Sequence, residues 1–147
     1  MKEQNRKFTR QDITDAARAL LGVRFRHQGR DPKTGVDCVG LLVVLGSSVQ
    51  YPHVRDLEGY RRVPSADTIR TMLRDTCDEI PVAEVGEGDI YLMRMGGAKP
   101  RHVGVRADRG DEPAMIHASW NGVRHQPLSD FPPSWFVAGF RLRGLAD

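Results

Sequence analysis

The chain has 147 residues, of which 39% are hydrophobic and 28% charged, and its formal net charge is +3. This length fits one domain with a single modest core, and the composition is ordinary for a folded globular protein. Basic residues alternate with acidic ones, as in Arg55-Asp56, which favours a solvated surface over a nucleic-acid groove. The longest apolar run, from Val39 to Leu45, is too short to span a membrane.

The first predicted helix begins after Thr9. Thr9 is a good N-cap, and Asp12 follows three residues later in a capping-box arrangement. Gly22 ends this helix. Its apolar face has the spacing of a helix and consists of Ile13, Ala16, Ala17, Leu20 and Leu21.

A polar loop over residues 23–37 leads to a second apolar segment, Cys38 to about Val49. Periodicity alone does not separate a helix from a buried strand here. The length of the segment, with Asp37 as a ready N-cap, favours a helix that begins at Cys38.

Residues 50–64 are predicted to form an irregular connection, after which Ser65 caps a third helix that ends at Pro81. One face of this helix carries Ile69, Met72, Leu73 and Thr76.

From Gly86 the hydrophobic period changes to two, which indicates strands. The chain is therefore predicted to be one α+β domain over residues 1–147, with N-terminal helices packed on a C-terminal antiparallel β-sheet. The predicted strands run from Ile90 to about Met95, His102 to Ala107, Ala114 to Ser119, Gly122 to Gln126, and through the tail WFVAGFRLR.

Two histidines are predicted to share one face of this sheet. A turn centred between Arg109 and Gly110 places His102 directly opposite His117. A slip of one residue would turn one of them over. The alternative is that each is an isolated, half-buried sheet residue.

Cys38 gains significance from its predicted position in the first turn of a helix, because a helix N-terminus lowers the pKa of a thiol. One imidazole could accept its proton, and a second could orient the first. A small buried core residue is the alternative for Cys38, and Cys77 is predicted to be buried and inert. The two cysteines form no disulfide framework, although one bridge between them stays open, and no clustered set of zinc ligands is present.

Four segments resemble, in order, the motifs of NlpC-type papain-like cysteine peptidases. The resemblance runs from the first helix to the last strand. Residues 21–30 further resemble the version found in phage tail and gene-transfer-agent members. The four segments are Gly35-Val36-Asp37-Cys38-Val39-Gly40-Leu41, Gly88-Asp89-Ile90, His102-Val103-Gly104-Val105 and Ile116-His117-Ala118-Ser119.

The resemblance implies a papain-like NlpC-type fold and hydrolysis of peptidoglycan stem peptides, typically between D-γ-glutamate and a diamino acid. It implies Cys38 as the nucleophile, His102 as base and acid, and His117 as the orienting residue. The backbone amide of Cys38 would contribute to an oxyanion hole. No cofactor or metal is implied.

Phe25, His27 and Asp37 are the predicted substrate-binding residues. Phe25 stands where the family often has a Tyr, so a hydroxyl group near the active site is lost. For His27 and the neighbouring Gln28, a solvated loop position is the alternative.

The predicted protein is a phage or prophage tail-associated cell-wall hydrolase, with phage tail proteins as partners. The N-terminus has no apolar segment typical of a signal peptide, so we expect synthesis in the cytoplasm and a place in the virion. Two alternatives stay open. One is a non-catalytic tail assembly component with the same fold, and the other is an amidase or acyltransferase acting on a different substrate.

Overall fold

The computed structural model describes residues 8–51, 66–95, 97 and 99–146. These residues form an α+β domain, as predicted. Its helices are α1 (Arg10–Arg18), α2 (Cys38–Ser48) and α3 (Ala66–Thr76). Its strands are β1 (Arg30–Asp31), β2 (Gly35–Val36), β3 (Cys77–Ile80), β4 (Ile90–Met93), β5 (His102–Arg106), β6 (Ala114–Ser119), β7 (Gly122–Pro127) and β8 (Phe136–Leu142).

Strands β3 to β8 build one antiparallel sheet in the order β3-β8-β4-β5-β6-β7. Strands β1 and β2 form a small hairpin within the loop that precedes α2. Among the described residues, no helix combines the length and apolarity that a membrane crossing requires.

The predicted start of α1 is confirmed. The Thr9 side chain accepts a hydrogen bond from the Asp12 amide at 3.1 Å, and Asp12 accepts one from the Thr9 amide at 2.9 Å. The helix ends at Arg18, a turn before Gly22, whose φ is +87°. These reciprocal bonds satisfy amide groups that the first helical turn leaves unpaired.

The predicted end of α3 at Pro81 is wrong. The helix ends at Thr76, and the next residues form β3, which pairs with β8 from Cys77↔Leu142 to Ile80↔Gly139. A partner about sixty residues away supplies the hydrogen bonds of β3, so local periodicity does not reveal it. The predicted cap Ser65, and all but the first two residues of the connection at 50–64, lie outside the described residues.

The sheet has a core on each face. Toward the helices it presents side chains such as Leu92, Val105 and Ile116, which pack with α1, α2 and α3. The opposite face carries a smaller cluster around Tyr91, Met93, Met115 and Phe131. Because side chains alternate along a strand, His117, next to Ile116, belongs to this second face. Its ring contacts Phe131, with 5.7 Å between the ring centroids.

Candidate active site

Cys38 is the first residue of α2, as predicted, and Asp37 is its N-cap. The Asp37 carboxylate accepts a hydrogen bond from the Gly40 amide at 2.8 Å, the usual bond of an N-cap side chain. The thiol therefore lies at the helix end where amide groups point outward and favour negative charge.

Asp37 makes further bonds that tie the helix to the preceding loop. Its carboxylate also accepts from the Gln28 amide at 2.8 Å and from Nη1 of Arg30 at 3.2 Å. With Asp37 only 5% exposed, its carboxylate faces the protein. Asp37 therefore holds the first turn of α2 against the loop before it, and its substrate-binding role stays a prediction.

Glycines allow the loop and α2 to approach closely. A Cβ atom added to Gly40 would lie 2.0 Å from the carbonyl oxygen of Gly29, and one added to Gly29 would lie 2.1 Å from that of Gly35. Gly35 itself has a φ of +131°. The glycines of the Gly35–Leu41 motif thus have a steric reason, because larger residues would displace the first turn of α2.

The two histidines come together, although not in the predicted register. The β5–β6 hairpin pairs Val105 with Ile116 and turns at Gly110, which has a φ of +60°. The pairing is shifted by two residues from the predicted one, so the two histidines are diagonal rather than directly opposed. A two-residue shift keeps both side chains on one face, and diagonal neighbours stay within reach of long or aromatic side chains. His102 Nε2 and His117 Nδ1 are 2.9 Å apart.

Beyond His117 lies Gln126, which sequence reasoning missed. Its Oε1 lies 2.5 Å from His117 Nε2, and its Nε2 donates to a carboxylate oxygen of Asp130 at 3.3 Å. Strand β7 pairs Arg124 opposite His117, so Gln126 is again a diagonal neighbour on the same face. The dipeptide Asn121-Gly122 is a strong signal for a two-residue hairpin turn, and counting outward from such a turn would have placed Gln126 opposite His117.

The thiol of Cys38 lies beside the start of β5. Its Sγ is 4.0 Å from the carbonyl oxygen of Arg101, the residue before His102. Among the described residues, no hydrogen bond joins Cys38 to His102.

Burial favours the neutral forms of Cys38, His102 and His117. It raises the pKa of the Cys38 thiol to about 12, with the nearby Asp37 charge acting in the same direction. The backbone amide of Val103 and those of Cys38 and Val39 act against this rise in pKa. Burial also lowers the pKa of His102 to about 3, assisted by His117, and lowers the pKa of His117. The resting site therefore holds a thiol and two uncharged imidazoles.

Phe25 lies where the loop before α2 meets the β6–β7 turn. It forms a parallel bridge with Val36, and its ring packs on Trp120 with 4.6 Å between centroids. Trp120 is 63% exposed and follows His117 by three residues. Phe25 and His27 are both half-buried, and their substrate-binding role stays a prediction.

Cys77 lies elsewhere, buried at the start of β3, and both cysteines are free. Within the described part of the chain, no group of three or more His, Cys, Asp or Glu side chains is arranged to hold a metal ion.

A scan of protein-family models and a search of curated proteins found no match to this chain. Solved structures do resemble it. The NlpC/p60 domain of the peptidoglycan hydrolase SagA matches with a TM-score of 0.66 and 20% identity, over 92% of this chain and 100% of that one. An NlpC/P60 family protein from Bacillus cereus matches with a TM-score of 0.68 and 17% identity, over 93% of this chain and 41% of that one. NlpC1 from Trichomonas vaginalis matches with a TM-score of 0.63 and 20% identity, over 88% of this chain and 42% of that one.

The chain therefore spans the whole SagA domain but less than half of the Bacillus and Trichomonas proteins. At these identities the likeness concerns the arrangement of the backbone. The motif order in the sequence, the antiparallel sheet and the helix that begins at Cys38 all agree with it. This chain has the papain-like NlpC/P60 fold.

Proposed function

We propose that this chain is a cysteine peptidase that hydrolyses peptidoglycan stem peptides between D-γ-glutamate and a diamino acid. The observation that carries the proposal is the 2.9 Å contact between His102 and His117, together with the position of Cys38 Sγ 4.0 Å from the carbonyl oxygen of the residue before His102. A nucleophile, a base and a group that orients the base are the parts that such a reaction needs. The likeness to the NlpC/p60 domain of SagA, a peptidoglycan hydrolase, supports peptidoglycan as the substrate class.

In the proposed reaction, His102 accepts the thiol proton as Sγ of Cys38 attacks the carbonyl carbon of the peptide. The resting pair is neutral, so this transfer accompanies attack rather than preceding it. The backbone amide of Cys38 stabilises the oxyanion. His102 then donates the proton to the departing amine, and water hydrolyses the thioester to release the acid and free Cys38.

A non-catalytic tail component of the same fold is the second candidate. Cys38 is only 8% exposed and has no hydrogen bond to His102 within the described chain, and Phe25 lacks the hydroxyl group of Tyr. These three observations favour a site that keeps its shape without turnover. An amidase or acyltransferase would keep the same chemistry on another acyl group.

Digestion of purified peptidoglycan, with the products identified by mass spectrometry, distinguishes these functions. The Cys77→Ala variant is the matched control, because it also removes a buried thiol but at a distance from the histidines. We expect the native chain and Cys77→Ala to release fragments cut after D-γ-glutamate, and Cys38→Ala to release none. Equal release by the native chain and Cys38→Ala would exclude the peptidase. Folded native protein that releases nothing would favour the tail component.

Association with a phage tail, synthesis in the cytoplasm and a place in the virion are part of the same proposal. They are supported by the resemblance of residues 21–30 to phage tail and gene-transfer-agent members. Co-purification of the chain with assembled tails, after infection or prophage induction, is the measurement that checks them.

A further inference from the structure

We propose that Gln126 is a positioning residue that sets the tautomers of His117 and His102, and thereby leaves Nδ1 of His102 free to act as the base. The proposal rests on the proposed peptidase function for its catalytic meaning. The tautomers themselves are a property of the free protein and are measurable without any substrate.

Asp130 determines which way the side-chain amide of Gln126 points. An ionised carboxylate can only accept hydrogen bonds, so the side-chain group of Gln126 that faces it at 3.3 Å must be the NH₂. The amide oxygen of Gln126 then points the other way, toward His117. The contact with Asp130 thus fixes the orientation of the Gln126 amide, whose oxygen and nitrogen would otherwise be interchangeable.

Gln126 determines the tautomer of His117. Nε2 of His117 lies 2.5 Å from Oε1 of Gln126, and an amide oxygen accepts but does not donate. The proton of the imidazole must therefore be on Nε2. In a neutral ring Nδ1 is then an acceptor, and the burial that lowers the pKa of His117 favours the neutral ring.

His117 in turn determines the tautomer of His102. Nε2 of His102 lies 2.9 Å from the bare Nδ1 of His117 and must donate to it. In the neutral ring Nδ1 of His102 then carries a lone pair, which is what a general base for the Cys38 thiol requires. The opposite tautomers would put two lone pairs between the histidines, or a proton on the atom that has to accept one.

Asp130 orients Gln126, Gln126 orients His117, and His117 orients His102. Gln126 thus influences Cys38 through the two histidines, without touching it. Unlike a carboxylate at the same position, Gln126 carries no charge. Burial is the larger effect and lowers the pKa of His117, against the rise in pKa that the hydrogen bond to Gln126 causes, so the ring that Gln126 orients stays neutral. A site built in this way holds its base neutral and in a single tautomer.

Long-range proton–nitrogen NMR spectra of the ¹⁵N-histidine-labelled full chain at pH 7 report which ring nitrogen carries the proton. Single His→Asn variants assign the signals. We expect His102 and His117 both to be Nε2-protonated in the native protein. A Nδ1-protonated or charged ring at either position overturns the proposal, whatever any variant does.

Two variants of Gln126 then test the cause. In Gln126→Met the acceptor is lost, and we expect both rings to show a mixture of tautomers. In Gln126→Glu an acceptor of the same reach is kept, and we expect Nε2-protonated His117. Unchanged tautomers in a folded Gln126→Met protein would refute a positioning role. Peptidoglycan hydrolysis by Gln126→Met should fall toward the loss of about 10²–10⁴-fold that general-base catalysis accounts for.

The two proposals fail separately. Nε2-protonated histidines that shift in Gln126→Met, in a protein that hydrolyses nothing, support the positioning role and contradict the peptidase. Hydrolysis by a protein whose tautomers do not depend on Gln126 contradicts the positioning role and leaves the peptidase in place.

Discussion

Replacing Asp37 tests whether this residue holds the active-site helix or contacts substrate. Its carboxylate, 5% exposed, accepts from the Gly40 amide, the Gln28 amide and Arg30 Nη1. Loss of an N-cap costs about 1 kcal/mol. A hydrogen bond to a charged group contributes about 1.5–3 kcal/mol in addition. We therefore expect Asp37→Ala to lower the free energy of unfolding by roughly 2–4 kcal/mol, which for a domain of this size lowers Tm by about 5–15 °C.

Asp37→Asn is the matched control, because its amide oxygen can still cap the helix at Gly40 while the charge opposite Arg30 is lost. We expect a loss about half as large, roughly 1–2 kcal/mol. Urea unfolding followed by circular dichroism measures both. The reasoning is refuted if Asp37→Ala unfolds within about 0.5 kcal/mol of the native chain, the usual range for surface substitutions. A raised KM with unchanged stability would instead favour direct contact with substrate.

Three further predictions concern the site and its support. Alkylation of Cys38 by iodoacetamide should accelerate about tenfold per pH unit from pH 7 to 10, because burial raises the thiol pKa to about 12 and thiolate is the reactive form. The free energy of unfolding should fall as the pH drops from 6.5 toward 4. In this range His102 binds a proton in the unfolded chain but stays neutral in the folded one, where its pKa is about 3. His102→Asn should reduce this pH dependence. Gly40→Ala, whose Cβ would lie 2.0 Å from the Gly29 carbonyl oxygen, should destabilise the fold by about 1–3 kcal/mol, and Gly97→Ala, whose Cβ meets no described atom within 4 Å, should not.

Each of these has a contradicting result. A plateau in the Cys38 alkylation rate between pH 5 and 8 would indicate a preformed thiolate–imidazolium pair and not a neutral one. A pH dependence of stability that is the same in the native chain and His102→Asn would mean that His102 titrates normally in the folded state. Equal stability of the Gly40 and Gly97 variants would mean that the loop before α2 yields to an added methyl group.

The parts of the fold that local chemistry determines could be predicted from the sequence. The cap at Thr9, the helix that begins at Cys38 and the positive φ at Gly110 each depend on residues within one turn of each other. Strand β3 could not be predicted, because its residues, Cys77–Ile80, follow a helix without a turn and, within the described part of the chain, pair with β8 alone. Long-range pairing of this kind leaves little trace in local sequence.

The contact between His102 and His117 was predicted correctly although the register of the hairpin was not. The turn was placed one residue too early, which shifted the register of the hairpin by two. A shift by an even number keeps His102 and His117 on one face, whereas a shift by one would have separated them. The rings of His102 and His117 meet diagonally across the hairpin, a contact that depends on their side-chain rotamers as well as on the strand register.

Gln126 and Asp37 show that spacing can place a residue without revealing which groups its side chain bonds to. Gln126 lies in the second hairpin, and its significance depends on the rotation of an amide that only Asp130 determines. The support that Asp37 gives to α2 depends on how the loop before it folds back, because that fold brings Gln28 and Arg30 to its carboxylate. Its substrate-binding role stays a prediction.

Covalent capture tests the central claim most directly. A stem-peptide analogue that carries an electrophilic carbon in place of the scissile carbonyl is incubated with the full chain, and the modified residue is located by tandem mass spectrometry. The proposed mechanism predicts one adduct, on Cys38, formed at least about 10²-fold more slowly in His102→Asn, since general-base catalysis is worth that much or more. An adduct on Cys77 alone, or capture by Cys38 at the same rate with and without His102, would contradict it.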